Sequence, residues 1–233
     1  MIVLDPLYSK FKTFCFSGIK GQMKIGKDGI HILSSKITIV FSSMKDDFIF
    51  NLIKKIFSYK RVELMNLKVR PESVEIENPI ELNTQQKYLC ISPIAYADPR
   101  RTDIDPKRYV LPQSDEFSDL IFESTMQSME KSGLYSPEQL SKFYRFQIVP
   151  DAEYLSKVKE EEKKIARVYN TYINDARYEL RGYILPFTLF AEPDVHHYIY
   201  NCGIGAITNE GFGMVDVPFE GNKKPTTVYS LVK

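Results

Sequence analysis

Apolar residues first alternate at Phe14 and Phe16, with Thr13 and Cys15 between them, and this two-residue period predicts a strand over Phe11 to Ser17. Gly18, Gly21, Gly26 and Gly29 interrupt the pattern and predict a turn-rich connection, followed by a longer strand from Ile30 to Phe41. The period then changes. Over Asp46 to Phe57 the pairs Phe48 and Ile49, Leu52 and Ile53, and Ile56 and Phe57 recur every four residues, which predicts a helix with one apolar face. Val62 to Val69 returns to the extended pattern, so this part of the chain reads strand, strand, helix, strand.

Tyr88 to Tyr96 opens the second half as a strand rich in apolar and β-branched residues. Pro99, Pro106 and Pro112 mark a long surface loop, and Phe117, Leu120, Ile121 and Met129 mark a helix. Ser136, Pro137 and Gln139 have the spacing of a capping box with proline in the first turn, predicting a second short helix. Phe146 to Val149 reads as a strand, and Lys157 to Lys164 as an exposed helical turn. Ile165 to Tyr172 and Tyr178 to Phe190 flank Asn174-Asp175 as a long hairpin. Pro193 then starts a short helix whose apolar face is Val195, Tyr198, Ile199 and Cys202, with Gly203 placed to end it in a left-handed conformation. A last strand lies around Phe212 to Val217. This order of elements is one ferredoxin-like unit, and the first half reads as the same unit without its opening strand and helix. The expected class is α+β: tandem ferredoxin-like (RRM-like) domains over 1–82 and 83–233, the first incomplete at its N-terminus.

Composition narrows the function classes. Hydrophobic residues make up 43% of the 233, enough for a substantial core, while no apolar stretch approaches the roughly 18 residues that would span a bilayer. No basic segment followed by an apolar run opens the chain as a secretory signal would. Cys15, Cys90 and Cys202 are too scattered for a zinc or redox motif and fit a reducing cytoplasm. The expectation is a cytoplasmic protein with no membrane partner, no metal site and no cofactor. A formal net charge of +1 does not itself suggest a nucleic-acid ligand, but its distribution is uneven. Lys10, Lys12, Lys20, Lys24 and Lys27 follow one another without an acidic residue. A solvated basic edge and an RNA-facing strip both fit that run.

The candidate chemistry lies near the C-terminus, in Gly203-Ile-Gly-Ala-Ile-Thr-Asn-Glu-Gly-Phe-Gly213. Four glycines in this short span, between a helix end and a strand, let the backbone approach something closely. Exposed amides there could hold phosphate oxygens, or the glycines could serve tight packing alone. The spacing, and the passage from helix to strand, argue against a dinucleotide fingerprint.

This segment resembles the glycine-rich loop, ending in Gly-Phe-Gly before the last strand, of the CRISPR-associated Cas six endoribonucleases of the RAMP superfamily. Three further segments resemble the same family: Lys12-Thr-Phe-Cys-Phe-Ser17, Cys90-Ile-Ser-Pro-Ile94, and Gly182 to Pro193. The resemblance implies a tandem ferredoxin-like protein that binds CRISPR repeat RNA and cleaves it once per repeat without metal. In that reaction a ribose 2′-OH attacks the adjacent phosphate, leaving a 2′,3′-cyclic phosphate and a 5′-OH. It also implies Lys12 as the cation for the transition-state phosphate, Tyr8 as a weaker candidate for orienting the ribose, and Lys20, Lys24, Gly203, Gly205, Asn209, Gly211 and Gly213 as RNA contacts. Other subunits of a CRISPR effector complex are further implied partners.

Two departures stand out. Many members place a histidine on the first helix, shortly before the Lys-x-Phe strand, where this chain has only Asp5, Pro6, Leu7 and Tyr8. A shortened chain, a non-catalytic repeat-binding relative, or another residue in the role are the three accounts of that difference. Of the histidines present, His31 reads as a structural residue in a strand, while His196 and His197 read as lying off the apolar face of their helix. Second, Ile207 stands where many members have a lysine, which leaves the backbone amides and Asn209 to hold the RNA.

Overall fold

The structure, a computed structural model, describes residues 13–26, 29–64, 67–219 and 226–229. The alternation at Phe14 and Phe16 forms β1 (Phe14–Phe16). β2 (Met23–Gly26) and β3 (Gly29–Ile32) follow as a hairpin, and β4 (Phe41–Ser43) then pairs antiparallel with β1. The strand expected over Ile30 to Phe41 is therefore two strands. A bend at Ser34-Ser35 lies between them, and a single bridge from Lys20 to Thr38 holds the connection. Helix α1 (Asp46–Ser58) buries Phe48 against Phe14, with ring centroids 4.9 Å apart. The extended run expected over Val62 to Val69 is a tight hairpin of β5 (Val62–Leu64) and β6 (Leu67–Val69). β7 (Val74–Glu77) follows.

The second unit begins with β8 (Gln85–Cys90), which breaks at Ile91 and Ser92, where both amides donate to the Met214 carbonyl. The chain leaves that sheet as β9 (Ile94–Ala95). Tyr96 and Tyr183 organise the proline-rich loop: the Tyr96 hydroxyl donates to the carbonyls of Asp105 and Arg108, and the Val110 amide donates to the Tyr183 hydroxyl. Helix α2 (Asp115–Ser132) is capped by Ser114 and ends at Gly133 in the left-handed region. Helix α3 (Pro137–Leu140) carries the capping box its sequence predicts. β10 (Phe146–Pro150), α4 (Ala152–Glu160), β11 (Ala166–Ile173), β12 (Ala176–Tyr183), β13 (Phe187–Ala191), α5 (Pro193–Cys202) and β14 (Val215–Asp216) complete the unit. The final strand, β15 (Thr226–Tyr229), pairs back with β7.

The main sheet has the antiparallel order β10-β13-β8-β14, the ferredoxin-like arrangement in which the first and third strands are central. Phe117 and Ile121 of α2 pack with Val195, Tyr198 and Ile199 of α5 and with Tyr88, Phe187 and Leu189 of the sheet in one buried cluster. At roughly 1.5–3 kcal/mol for each large side chain fully buried, this cluster dominates the favourable side of folding. The β11–β12 hairpin and β9 form a separate three-stranded sheet. The first unit docks on α5, where the Cys15 thiol donates to the Asn201 carbonyl at 3.7 Å and the Ser42 hydroxyl to the Tyr200 carbonyl at 3.4 Å. Because side chains alternate along a strand, Phe14 on α1 and Cys15 on α5 place these two helices on opposite faces of β1 and β4.

Candidate functional site

After α5 the chain must reverse to enter β14, and residues 203–213 make that reversal by folding onto themselves and onto the break after β8. The Ile204 amide donates to the Gly213 carbonyl at 2.8 Å, and the Gly213 amide to the Pro93 carbonyl at 2.7 Å. The Ala206 amide donates to the Ala95 carbonyl at 2.8 Å, the Gly205 amide to Thr125 Oγ1 at 3.0 Å, and the Met214 amide to Ser92 Oγ at 2.9 Å. The Gly203 and Gly211 amides are also occupied, by the carbonyls of Ile199 and Thr208. The expectation of exposed amides at Gly203, Gly205, Gly211 and Gly213 is thus corrected: their N–H groups are bonded within the protein.

The glycines are required by space as well as by backbone angle. A Cβ on Gly213, at φ +69°, would lie 2.0 Å from the Ile204 carbonyl oxygen; on Gly205, at φ +84°, it would lie 2.4 Å from that of Ala95. At Gly211, φ +87°, it would meet the Phe16 ring at 2.9 Å, so this glycine is where the segment touches the first unit. Gly203 ends α5 at φ 86°, ψ 165°, a more extended geometry than the compact left-handed cap expected of it. The segment is a close-packed brace.

Ile207 adopts φ 49°, ψ 39°, a left-handed conformation that is costly for a β-branched residue. Its side chain is buried with Ala95, Ile173, Leu180, Ala206 and Phe212, fixing the brace beneath the β11–β12 hairpin. Tyr169 adds an edge-on contact to Phe212 at 5.9 Å. The position where the resemblance expects a lysine is therefore an apolar anchor. Asn209, Glu210 and Gly211 are partly exposed at the tip, where Asn209 Nδ2 donates to Glu210 Oε1 at 3.2 Å. A shallow polar hollow beside the tip is lined by Arg101, Gln127, Ser128, Lys131 and Asn209. Arg101 there is held by Asp103 and Glu123, and neighbouring Arg100 by Asp98.

Lys20 and Lys24 are both exposed, Lys20 at its bridge to Thr38 and Lys24 on β2, across from His31. His31 is exposed rather than enclosed in a sheet. Tyr8 and Lys12 lie outside the described residues. His196, expected on the helix surface, is fully buried, with Nδ1 2.9 Å from the Tyr88 hydroxyl. Burial draws its pKa below 6.5. The helical period missed this because the burial is tertiary: the imidazole stacks on Tyr88 of β8, with ring centroids 5.8 Å apart. His197 is exposed, and its carbonyl accepts a hydrogen bond from Asn201 Nδ2. Among the described residues no three His, Cys, Asp or Glu side chains gather as a metal-binding group, and no helix is long and apolar enough to cross a membrane.

The four segments that carry the resemblance meet at one place. Phe16 of the first packs on Gly211; Ser92 and Pro93 of the second accept the amides of Met214 and Gly213; and a Cβ on Gly182 of the third would lie 2.7 Å from Pro93 Cβ. Phe16, Ser92, Pro93 and Thr125 were not singled out as site residues from the sequence, yet they hold the glycine segment in shape.

Residues 75–217 match the family described as "CRISPR associated protein Cas6, C-terminal". The chain belongs to this Cas6 family. Among solved structures, a chain titled "Characterization of a Cas6-related gene from Pyrococcus furiosus" is 19% identical with a TM-score of 0.67, over 90% of this chain and 79% of that one. A structure titled "CRISPR associated protein Cas6" is 22% identical with a TM-score of 0.65, over 91% and 81%. One titled "An RAMP protein binding different RNA substrates" is 18% identical with a TM-score of 0.64, over 89% and 80%. These likenesses show that the chain has the tandem ferredoxin-like fold of Cas6 and RAMP proteins. No curated protein matches the sequence.

Proposed function

We propose that this Cas6-family protein binds CRISPR repeat RNA and cuts the precursor transcript within each repeat. The observation that carries the reading is the family match over 75–217, which includes the whole glycine brace and its receptor at Ser92 and Pro93. The cut is an internal transesterification: a base takes the proton of the ribose 2′-OH, the oxygen attacks the adjacent phosphorus, and an acid protonates the departing 5′-oxygen. The products are a 2′,3′-cyclic phosphate and a 5′-OH, and a cation offsets the charge of the phosphorane between them. Lys12 is proposed for that cation and Tyr8 for orienting the ribose; Lys20, Lys24 and Asn209 are proposed RNA contacts. The glycines act by holding the brace, so that the tip at Asn209 and the β11–β12 hairpin present a fixed surface, as preorganised binding requires.

A second reading, a RAMP subunit that holds the repeat-derived end of a guide RNA without cutting, is favoured by the burial of His196, which keeps that imidazole away from a bound strand. Incubation of the protein with its repeat RNA in EDTA separates the two. The first reading expects one cut with a cyclic phosphate end, slowed at least about tenfold by Lys12→Ala, within the range for loss of one charge-stabilising group. Tight binding with no cut supports the second reading, and failure to bind the repeat contradicts both.

A further inference from the structure

From Lys54 to Arg70 the chain carries Lys54, Lys55, Lys60, Arg61, Lys68 and Arg70 against a single carboxylate, Glu63, although the whole chain is only +1. All six cations are exposed at the end of α1 and along the β5–β6 hairpin. Glu63 faces Lys68 across that hairpin, which leaves five cations without a facing carboxylate there. Several surface cations elsewhere are matched: Lys36 with Glu72, Lys87 with Asp151, Arg108 with Glu116, Lys157 with Glu153. Among the described residues, none of the six forms an ion pair.

The negative end of the α1 dipole accounts for Lys55, in its last turn, at about 0.3–1 kcal/mol. It does not account for Lys60, Arg61 and Arg70, which lie beyond the helix. Two aromatic rings are exposed among these charges. Phe50 is 68% exposed and one helical turn before Lys54; Tyr59, which ends the helix and directly precedes Lys60, is 48% exposed. Cations beside open ring faces suit a single strand of nucleic acid, whose phosphates take the charges and whose bases take the rings. An acidic protein surface would satisfy the charges and leave the rings in water. None of these cations or rings belongs to residues 203–213, and the brace meets the first unit at Phe16 instead.

We propose that the α1 end and the β5–β6 hairpin form a second RNA contact, which holds single-stranded transcript flanking the repeat, without regard to sequence. The proposal rests on the RNA-binding reading above. It is tested with the full chain and a variant carrying Lys54→Gln, Lys55→Gln, Lys60→Gln and Arg61→Gln, all exposed positions, with an unchanged melting curve showing that the variant is folded. Affinity is measured for the bare repeat RNA and for the repeat extended by about 20 unstructured nucleotides, more than a single-strand site needs.

The expected result is that the unaltered protein binds the extended RNA at least tenfold more tightly than the bare repeat. The variant loses that difference while keeping its affinity for the repeat. Its log–log salt slope on the extended RNA falls by about 3, four phosphate contacts at about 0.7 each. Tyr59→Ala reduces the gain in the same direction. If the extension adds nothing, or the variant keeps the full gain, the proposal is overturned and the surface is left to a protein partner. If the unaltered protein binds the bare repeat no better than an unrelated RNA, it is the underlying function that fails, a result visible before any variant is compared.

Discussion

Gly213 and Gly133 both sit at positive φ, yet a side chain costs very different amounts at the two. At Gly133, φ +66°, nothing lies within 4 Å of an added Cβ, so Gly133→Ala should cost only the left-handed backbone penalty of about 1–2 kcal/mol. At Gly213 the carbonyl of Ile204 occupies that space, and Gly213→Ala should cost about 3 kcal/mol or more, in the range of strained or overpacked sites. Denaturant unfolding of the two variants measures the contrast; equal losses would mean that the brace is loose. His196 gives a pH signature at the same scale. Its folded pKa is lowered by burial, so the unfolded chain binds more protons in the interval below 6.5. Stability should therefore be complete above that value, decline as pH falls through the unfolded and then the folded pKa, and lose this component in His196→Phe. The comparison is made on unfolding curves between pH 5 and 8.

The β11–β12 hairpin was legible in the sequence down to its turn, but the arm expected over Tyr178 to Phe190 is two strands, β12 and β13, which belong to different sheets. Asn174 and Asp175, at φ 50° and 63°, form the two-residue loop that joins Ile173 to Ala176, and both residue types tolerate that region. Asp175→Gly should stabilise the protein by about 0.5 kcal/mol, since glycine is favoured there; a lower melting temperature would show that the carboxylate has a local role. The helix α2, the capping box of α3 and the apolar face of α5 were equally readable, because each is a local pattern. The strand expected over Ile30 to Phe41 was not. Its apolar residues continue past Ser34-Ser35, and only tertiary pairing decides that β3 turns back on β2 while β4 joins β1. His196 was misplaced for a similar reason: only tertiary packing brings Tyr88 of β8 over a polar side chain at the edge of the apolar face of α5.

For the whole molecule, the identity of the motifs was legible but not what they do to one another. Four glycines announce close approach, and sequence does not say to what. The structure gives the partners: Ala95, Ile204, Thr208 and Phe16, the last of which joins the two units through Gly211. Phe16→Ala should cost about 2 kcal/mol, less than a fully buried ring because Phe16 is partly exposed, and should weaken RNA binding by loosening the seam. Whether this Cas6-family chain grips repeat RNA is read by titrating the purified protein against its CRISPR repeat and a shuffled RNA of equal length, at several salt concentrations. The proposed function requires tighter binding to the repeat at every salt concentration, with affinity for both falling as salt rises. Equal affinity for the two RNAs, or none for either, would contradict it.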